Sequence, residues 1–150
     1  MTVLAINGSS RKNGNTFILI NTVLKELEKH GVDTECIQLA GHNIRGCTGC
    51  RKCAEIQNGL CVLDDNDIVN ECIKKIMLSD GVILGSPVYF ANASSELLAF
   101  ISRAGVVARS NNNMFKRKTG AAVVAVRRGG ANHAFNSINH FFFISEMIVP

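Results

Sequence analysis

The chain has 150 residues, 47% hydrophobic and 19% charged, which suits one domain with a hydrophobic core and excludes a disordered chain. Its net charge of +4, with both signs mixed along the chain, does not indicate a dedicated nucleic-acid-binding protein. The N-terminus lacks a basic segment, and its apolar run is too short for a signal peptide or membrane span. We therefore expect a cytoplasmic protein that does not bind membranes. In that reducing compartment, six cysteines favour metal or redox chemistry over disulfides.

Strand and helix patterns alternate in the first half of the chain. Residues 3–6 form a continuous apolar run, which predicts a strand buried on both faces. The helix predicted next ends near Gly31, and its apolar residues recur at helical spacing: Phe17, Ile20, Leu24 and Leu27. Residues 32–39 predict a second, more polar strand near an edge of the sheet.

The same alternation continues in the second half. Three carboxylates suited to the positive end of a helix dipole precede the next helix: Asp64, Asp65 and Asp67. Residues 81–86 and 120–126 predict two further strands. Between these strands, Ser94 or Ser95 is expected to cap a helix, and another helix is expected over residues 132–144.

Strands that alternate with helices predict an α/β domain with a parallel sheet. The residues leave two strand orders open, a Rossmann order and a flavodoxin-like order, and both place ligands at the carboxyl ends of the strands. Residues 147–150 resemble the start of a fifth strand, so we expect a single domain over residues 1–150 that lacks its C-terminal end.

The loop after the first strand, residues 7–16, is rich in groups that bind phosphate. It matches neither a P-loop nor the G-x-G-x-x-G pattern. Its hydroxyls, amides, guanidinium and helix N-terminus suit a terminal phosphate dianion, as in FMN, better than the pyrophosphate of NAD. The alternative is an ordinary polar loop with a good helix cap. The candidate side chains are Ser9, Ser10, Arg11, Asn13, Asn15 and Thr16.

The loops after the third and fourth strands predict the walls of a ring-binding site. Pro87 stiffens the first of them, and Tyr89 and Phe90 add two aromatic rings at the carboxyl edge. A flat flavin ring needs apolar walls and backbone hydrogen bonds, although a core aromatic pair would give the same pattern. In the second loop, residues 127–130 combine two arginines with two glycines that permit close backbone approach. A plain glycine turn with solvated arginines is the alternative there.

Four cysteines share one short loop with the spacing C-x2-C-x2-C-x7-C: Cys47, Cys50, Cys53 and Cys61. Three closely spaced thiols can wrap one face of a cubane cluster, and a more distant fourth can complete it. The spacing differs from the paired zinc pattern, and it leaves a cluster, a zinc ion or a metal-free loop open. The remaining two, Cys36 and Cys72, fall in a strand and on an apolar helix stripe, so we expect them in the core.

Taken in order, GSSRKNGNT, CTGCRKC with its distant cysteine, SPVYFAN and RRGG resemble the NADPH-dependent FMN reductase-like branch of the flavodoxin-like proteins, and more closely the iron–sulfur flavoproteins. The resemblance implies a three-layer α/β/α fold with strand order 2-1-3-4-5. It implies FMN, a [4Fe–4S] cluster on the four loop cysteines, and a homodimer or homotetramer. The flavin contacts that it implies are Ser9, Arg11, Asn15, Thr16, Pro87, Val88, Tyr89, Phe90, Arg128, Gly129 and Gly130.

We therefore expect an FMN-dependent oxidoreductase that takes electrons from NAD(P)H or a protein donor. Its acceptor would be a small molecule or a protein. The cofactor carries such chemistry, and the sequence shows no acid–base dyad or catalytic triad. One alternative is a non-catalytic electron carrier or redox sensor that receives electrons only from a protein such as ferredoxin. Another is a thiol-based interaction module without flavin.

Overall fold

The computed structural model describes residues 1–63 and 67–150. In these residues four parallel strands form one sheet in the order β2-β1-β3-β4. The strands are β1 (Thr2–Asn7), β2 (Asp33–Gln38), β3 (Gly81–Pro87) and β4 (Thr119–Ala125). The helices are α1 (Asn15–Lys29), α2 (Lys52–Ile56), α3 (Val69–Leu78), α4 (Ser95–Ser110) and α5 (Ala131–Ile144).

Helices cover both faces of the sheet because the central strands are apolar on both sides. In β1, Leu4 and Ile6 belong to one hydrophobic cluster, whereas Val3 and Ala5 belong to another. Alternate residues of a strand point to opposite faces, so the two clusters lie on opposite sides of the sheet. Helix α1 packs on one side, and α3, α4 and α5 pack on the other. This agrees with the doubly wound α/β prediction, and β2 lies at an edge, as its polar sequence indicates.

The predicted order 2-1-3-4 is confirmed for four strands, whereas the predicted fifth strand is not found in the described residues. Instead of a strand over residues 147–150, a single parallel bridge joins Ile148 to Thr119. Its two hydrogen bonds run from Gly120 N–H to the Ile148 carbonyl (2.8 Å) and from Ile148 N–H to the Lys118 carbonyl (2.9 Å). A strand requires several consecutive pairs, and one bridged residue beside β4 does not supply them.

The helix starts differ little from their predictions. Ser94 caps α4, since its side chain accepts a hydrogen bond from the N–H of Leu97 (3.3 Å). Helix α5 begins at Ala131, one residue before the predicted start. Of the three carboxylates before α3, Asp64 and Asp65 lie outside the described residues. Asp67 accepts a hydrogen bond from the N–H of Val69, at 3.0 Å.

No helix within residues 1–63 and 67–150 is long and apolar enough to cross a membrane.

The two cysteines expected in the core differ in burial. Cys72 on α3 is fully buried, whereas Cys36 on β2 is half-buried. Burial and then the charge of Glu71 raise the pKa of the Cys72 thiol from 9.0 to about 12. Burial likewise raises the pKa of Cys36. Both thiols are therefore neutral near pH 7.

The raised pKa of Cys72 predicts a loss of stability at alkaline pH. Above the ordinary pKa of 9.0 the unfolded thiol loses its proton while the folded thiol keeps it, so stability falls as pH rises towards 12. Between about pH 8 and about pH 10.5 we expect wild type to lose roughly 2 kcal/mol more than Cys72→Ala, at about 1.4 kcal/mol per pH unit. Urea unfolding at both pH values measures the difference, and parallel losses in the two proteins would contradict it.

Candidate functional site

The carboxyl ends of three strands meet at one edge of the sheet. The register pairs Asn7 of β1 with Gly85 of β3, and Pro87 of β3 with Ala125 of β4. The loops after these strands are the ones that the sequence marks as candidates. These loops lie close together because parallel pairing places the carboxyl ends of all strands at the same edge of the sheet.

The loop after β1 is ordered by its own polar groups. The N–H of Ser9 donates to Oδ1 of Asn7 (3.0 Å), and the N–H of Arg11 donates to Oγ of Ser9 (3.1 Å). Ser9 and Thr16 are buried, whereas Arg11, Asn13 and Asn15 are exposed. Helix α1 starts at this loop, and no side chain caps its N-terminus. The amides there remain directed at the loop, as an anion requires.

Gly8 is required by close packing between this loop and its neighbours. Its N–H donates to the carbonyl of Gly85 at 2.8 Å. A Cβ on Gly8 would lie 2.8 Å from Cβ of Leu97 and 2.9 Å from Oγ of Ser94. The loop after β1 is therefore held tightly against the start of α4.

Two residues that the sequence did not identify, Asn7 and Gln38, support the loop from beneath. Nδ2 of Asn7 donates to Oε1 of Gln38 (2.8 Å), and Nε2 of Gln38 donates to the carbonyl of Ser9 (2.5 Å). Asn7 is fully buried. Asn7 and Gln38 are the last residues of β1 and β2. An amide side chain at the end of a predicted strand was the only feature of the sequence that could have indicated either residue.

The loop after β3 makes a tight turn with an exposed aromatic tip. Tyr89 and Asn92 exchange backbone hydrogen bonds of 2.9 and 3.1 Å, and Phe90 and Ala91 between them have φ values of 46° and 65°. Two positive φ values are typical of a type I′ turn and are strained for an aromatic residue. Phe90 is fully exposed and Tyr89 is 42% exposed, so the alternative of a core aromatic pair is wrong.

The loops after β3 and β4 enclose an open pocket. Backbone pairing continues past the strand ends, since the N–H of Val88 donates to the carbonyl of Ala125 at 3.0 Å. Gly130 has a φ of 90°, and a Cβ there would lie 2.6 Å from Cα of Ala91. The pocket is lined by Val88, Phe90, Ala91, Val126, Arg127, Arg128 and Gly129. Pro87, the last residue of β3, is half-buried.

A side-chain hydrogen bond joins the loop after β1 to the loop after β3. Oγ of Ser10 and Oη of Tyr89 are 2.7 Å apart. The predicted phosphate-binding loop and the predicted ring-binding loop after β3 therefore lie next to each other, joined through Tyr89.

All four loop cysteines line one pocket beside α4. Cys47 and Cys50 are exposed, Cys61 is half-buried and Cys53 is buried. Within residues 1–63 and 67–150, no three His, Cys, Asp or Glu side chains approach closely enough to hold a single metal ion. Tetrahedral zinc would hold its sulfurs about 3.8 Å apart, given Zn–S bonds of about 2.3 Å. Four thiols around one pocket are the donor set that a cubane takes, at one thiolate per iron.

The backbone of residues 47–61, here called the cysteine segment, curves around this pocket. Gly49 and Arg51 have φ values of 69° and 58°, in the left-handed region. The N–H of Gly49 donates to Sγ of Cys47 (3.4 Å), and the N–H of Cys47 donates to Oγ of Ser102 on α4 (3.1 Å). One of these hydrogen bonds contacts the sulfur of Cys47, and the other joins its backbone to α4.

Arg103 on α4 is the residue of this pocket that the sequence analysis missed. It is 1% exposed, forms a buried ion pair with Asp67, and donates from Nε to Sγ of Cys61 at 3.3 Å. Burial opposes its charge, but the hydrogen bonds to Asp67 and Cys61 outweigh burial and raise the pKa of Arg103. Its signal in the sequence was a lone charge on the helical stripe that contains Phe100 and Val107.

This chain is similar to known proteins in sequence and in fold. The family model described as NADPH-dependent FMN reductase matches residues 1–150. An iron–sulfur flavoprotein of Methanocaldococcus jannaschii is 38% identical over 99% of this chain and 75% of its own length. An iron–sulfur flavoprotein of Methanosarcina thermophila is 32% identical over 99% of this chain and 76% of its own length. A solved archaeal flavodoxin has a TM-score of 0.65 at 15% identity, covering 100% of this chain and 78% of its own.

Proposed function

This chain belongs to the NADPH-dependent FMN reductase family, and we propose that it is an FMN-dependent oxidoreductase. Electrons would come from NAD(P)H or a protein donor and pass to a small-molecule or protein acceptor. The observation that carries the proposal is the convergence of an uncapped helix N-terminus and an open pocket at one sheet edge, joined through Ser10 and Tyr89. Bound FMN supplies the redox chemistry, because it accepts two electrons and can release them singly.

The loop after β1 is proposed to bind the FMN phosphate. Ser9 and Thr16 offer hydroxyls at the start of α1, and the exposed Arg11 offers charge-assisted hydrogen bonds. Asn13 and Asn15 add amide donors. The amides at the N-terminus of α1 favour an anion through the helix dipole.

The loops after β3 and β4 are proposed to hold the flavin ring. Pro87, Val88, Tyr89 and Phe90 form one side, with apolar and aromatic surface and backbone groups held by the tight turn. Arg128, Gly129 and Gly130 form the other side, where the guanidinium offsets negative charge on the reduced ring.

Cys47, Cys50, Cys53 and Cys61 are proposed as ligands of a [4Fe–4S] cluster. The support is that all four line one pocket and that the two relatives described above, at 38% and 32% identity, bear the name iron–sulfur flavoprotein. A bound cluster supplies one-electron transfer. Arg51 and Arg103 line the same pocket and offset the negative charge of four thiolates.

The first test is the visible spectrum of anaerobically purified protein, with iron and acid-labile sulfide assayed on the same sample. A two-banded flavin spectrum over a broad shoulder, with about four irons per chain, is expected. Oxidation of NADPH or NADH is then followed with a quinone or dye as acceptor. If ferredoxin reduces the protein and neither NADPH nor NADH does, the result would favour a non-catalytic electron carrier over a reductase. Colourless protein that binds no added FMN would refute the flavin site.

A phosphate site predicts discrimination between FMN and riboflavin. Replacing Arg11 with glutamine removes a cation from the loop after β1, so we expect FMN affinity to fall about tenfold while riboflavin affinity stays the same. Fluorescence titration of the apoprotein measures both. Lys25→Gln, an exposed cation further along α1, is the control. Equal losses for the two flavins would show that Arg11 does not contact the phosphate.

The support beneath the loop predicts a second effect on affinity. Replacing Gln38 with leucine removes the donor to the carbonyl of Ser9 and leaves Nδ2 of the buried Asn7 without its partner. We expect FMN affinity to fall about tenfold, since 1.4 kcal/mol corresponds to a factor of ten. Asn43→Leu, an exposed amide elsewhere, is the control. Unchanged FMN affinity in Gln38→Leu would mean that the loop keeps its shape without this support.

We further propose that the protein is a homodimer or homotetramer. Support comes from large apolar side chains that remain exposed on the described chain, among them Phe143 and Ile144 on α5. Sedimentation of the flavin-loaded protein tests this.

A further inference from the structure

We propose that Arg103 is a positioning residue for Cys61, and that its hydrogen bond to the sulfur raises the reduction potential of a cluster ligated there. The inference rests on the cluster in the proposed function. It concerns one contact, in which Nε–H of Arg103 donates to Sγ of Cys61 at 3.3 Å.

The guanidinium holds three points of the segment that carries the fourth cysteine. Nε contacts the sulfur of Cys61, Nη2 donates to the carbonyl of Leu63, and Nη1 pairs with the carboxylate of Asp67. Arginine's planar fork matches such a fixed arrangement, which lysine cannot reproduce. Because the side chains of Arg103 and Asp67 are 0% and 1% exposed, water screens this ion pair only weakly.

Asn70 holds the same cysteine by its backbone. The N–H of Cys61 donates to Oδ1 of Asn70, and Nδ2 of Asn70 donates to the carbonyl of Cys61, both at 2.8 Å. Asn70 is buried at the start of α3. Asn70 therefore fixes the backbone of Cys61, whereas Arg103 contacts its sulfur.

Contact with sulfur has an electronic consequence that backbone support lacks. Reduction adds one negative charge to a cluster and its thiolates, and hydrogen bonds to sulfur stabilise that added charge. The positive charge of Arg103 acts in the same direction, but the carboxylate of Asp67 opposes it, so the hydrogen bond to sulfur carries the inference. Arg51 also lines the pocket, but it is exposed, so solvent screens its charge more strongly.

The decisive variant is Arg103→Lys, which keeps a cation for Asp67 but lacks Nε–H. In loaded protein we expect the equilibrium constant for one-electron reduction to fall about tenfold, equal to about 59 mV towards negative potential. Potentiometric titration followed by electron paramagnetic resonance of the reduced cluster measures it. Arg109→Lys, an exposed arginine on the same helix, is the control.

Asn70→Ala separates the electronic effect from simple loosening. It removes both backbone hydrogen bonds to Cys61 and leaves the contact between Nε and sulfur. We expect less iron per chain. The equilibrium constant for one-electron reduction of the remaining cluster should stay within twofold of its wild-type value. Equal potentials in wild type and Arg103→Lys would overturn the inference, and so would equal shifts in Arg103→Lys and Asn70→Ala.

A measurement on iron-free protein separates this inference from the proposed function. The Nε–H of Arg103, identified by its loss in Arg103→Lys, should give a protected resonance in a ¹H–¹⁵N spectrum. Cys61→Ala should shift it, whereas Cys47→Ala, at an exposed cysteine, should not. Wild-type protein that contains no iron after anaerobic purification would refute the cluster in the proposed function. A resonance indifferent to Cys61→Ala would overturn the role of Arg103, whatever the iron content.

Discussion

Replacing Gly130 with alanine is expected to lower the affinity for FMN about a hundredfold, equal to about 3 kcal/mol. Gly130 has a φ of 90°, and a Cβ there would lie 2.6 Å from Cα of Ala91 and 3.0 Å from Cγ1 of Val88. Because the nearest atom, Cα of Ala91, belongs to the backbone, it cannot rotate away as a side chain could. The loop after β4 must therefore move away from the loop after β3. The pocket proposed for the flavin ring lies between these loops and would lose its shape.

Fluorescence titration with FMN measures this effect, and urea unfolding of the apoprotein shows whether the variant still folds. Gly31→Ala is the matched control, because Gly31 also has a positive φ, of 74°, but a Cβ there would meet nothing within 4 Å. It lies just after the last turn of α1, at the other end of that helix from the site. We expect Gly31→Ala to lose about 1 kcal/mol of stability and no FMN affinity. Similar affinities in both variants would disprove the steric role of Gly130.

Replacing Arg103 with methionine is expected to cost about 3–5 kcal/mol of free energy of unfolding. The side chain of Asp67 is 1% exposed and would remain as a buried charge without its partner. The carbonyl of Leu63 would lose its donor as well. Chemical denaturation at neutral pH, with flavin and iron content matched between proteins, measures the loss.

A double variant tests whether the unpaired charge causes that loss. Arg103→Met combined with Asp67→Asn removes both charges, and asparagine keeps an oxygen for the N–H of Val69. We expect it to recover at least half of the lost stability. Lys29→Met breaks the exposed pair with Glu26 and should cost less than about 1 kcal/mol. A double variant as unstable as Arg103→Met alone would assign the loss to the Leu63 and Cys61 contacts instead.

Several elements could be predicted because their signals are local. The continuous buried runs of β1 and β3 and the polar edge strand β2 follow from the apolar pattern, and a cap at Ser94 or Ser95 follows from one residue type at a helix start. The fifth strand could not be predicted reliably. Residues 147–150 are apolar enough to form one, but strand formation depends on pairing, and only Ile148 pairs beside β4.

The aromatic pair after β3 shows where local sequence was ambiguous. A tyrosine followed by a phenylalanine after a buried strand is compatible with a core position and with a binding site. Burial in the folded chain decides between them, and the turn of Tyr89–Asn92 leaves Phe90 fully exposed. The proposal of a ring-binding wall depends on that exposure.

Composition, periodicity and loop residues were enough to establish a parallel α/β fold, a polar loop at a helix start and a compact cysteine segment, because each property belongs to neighbours in the chain. The supports of the two candidate sites belong to residues far apart in sequence. Gln38 lies 29 residues from Ser9, and Arg103 lies 42 residues from Cys61. Their hydrogen bonds form only when β2 lies beside β1 and α4 packs against the cysteine segment, because burial and distance are properties of the packed chain.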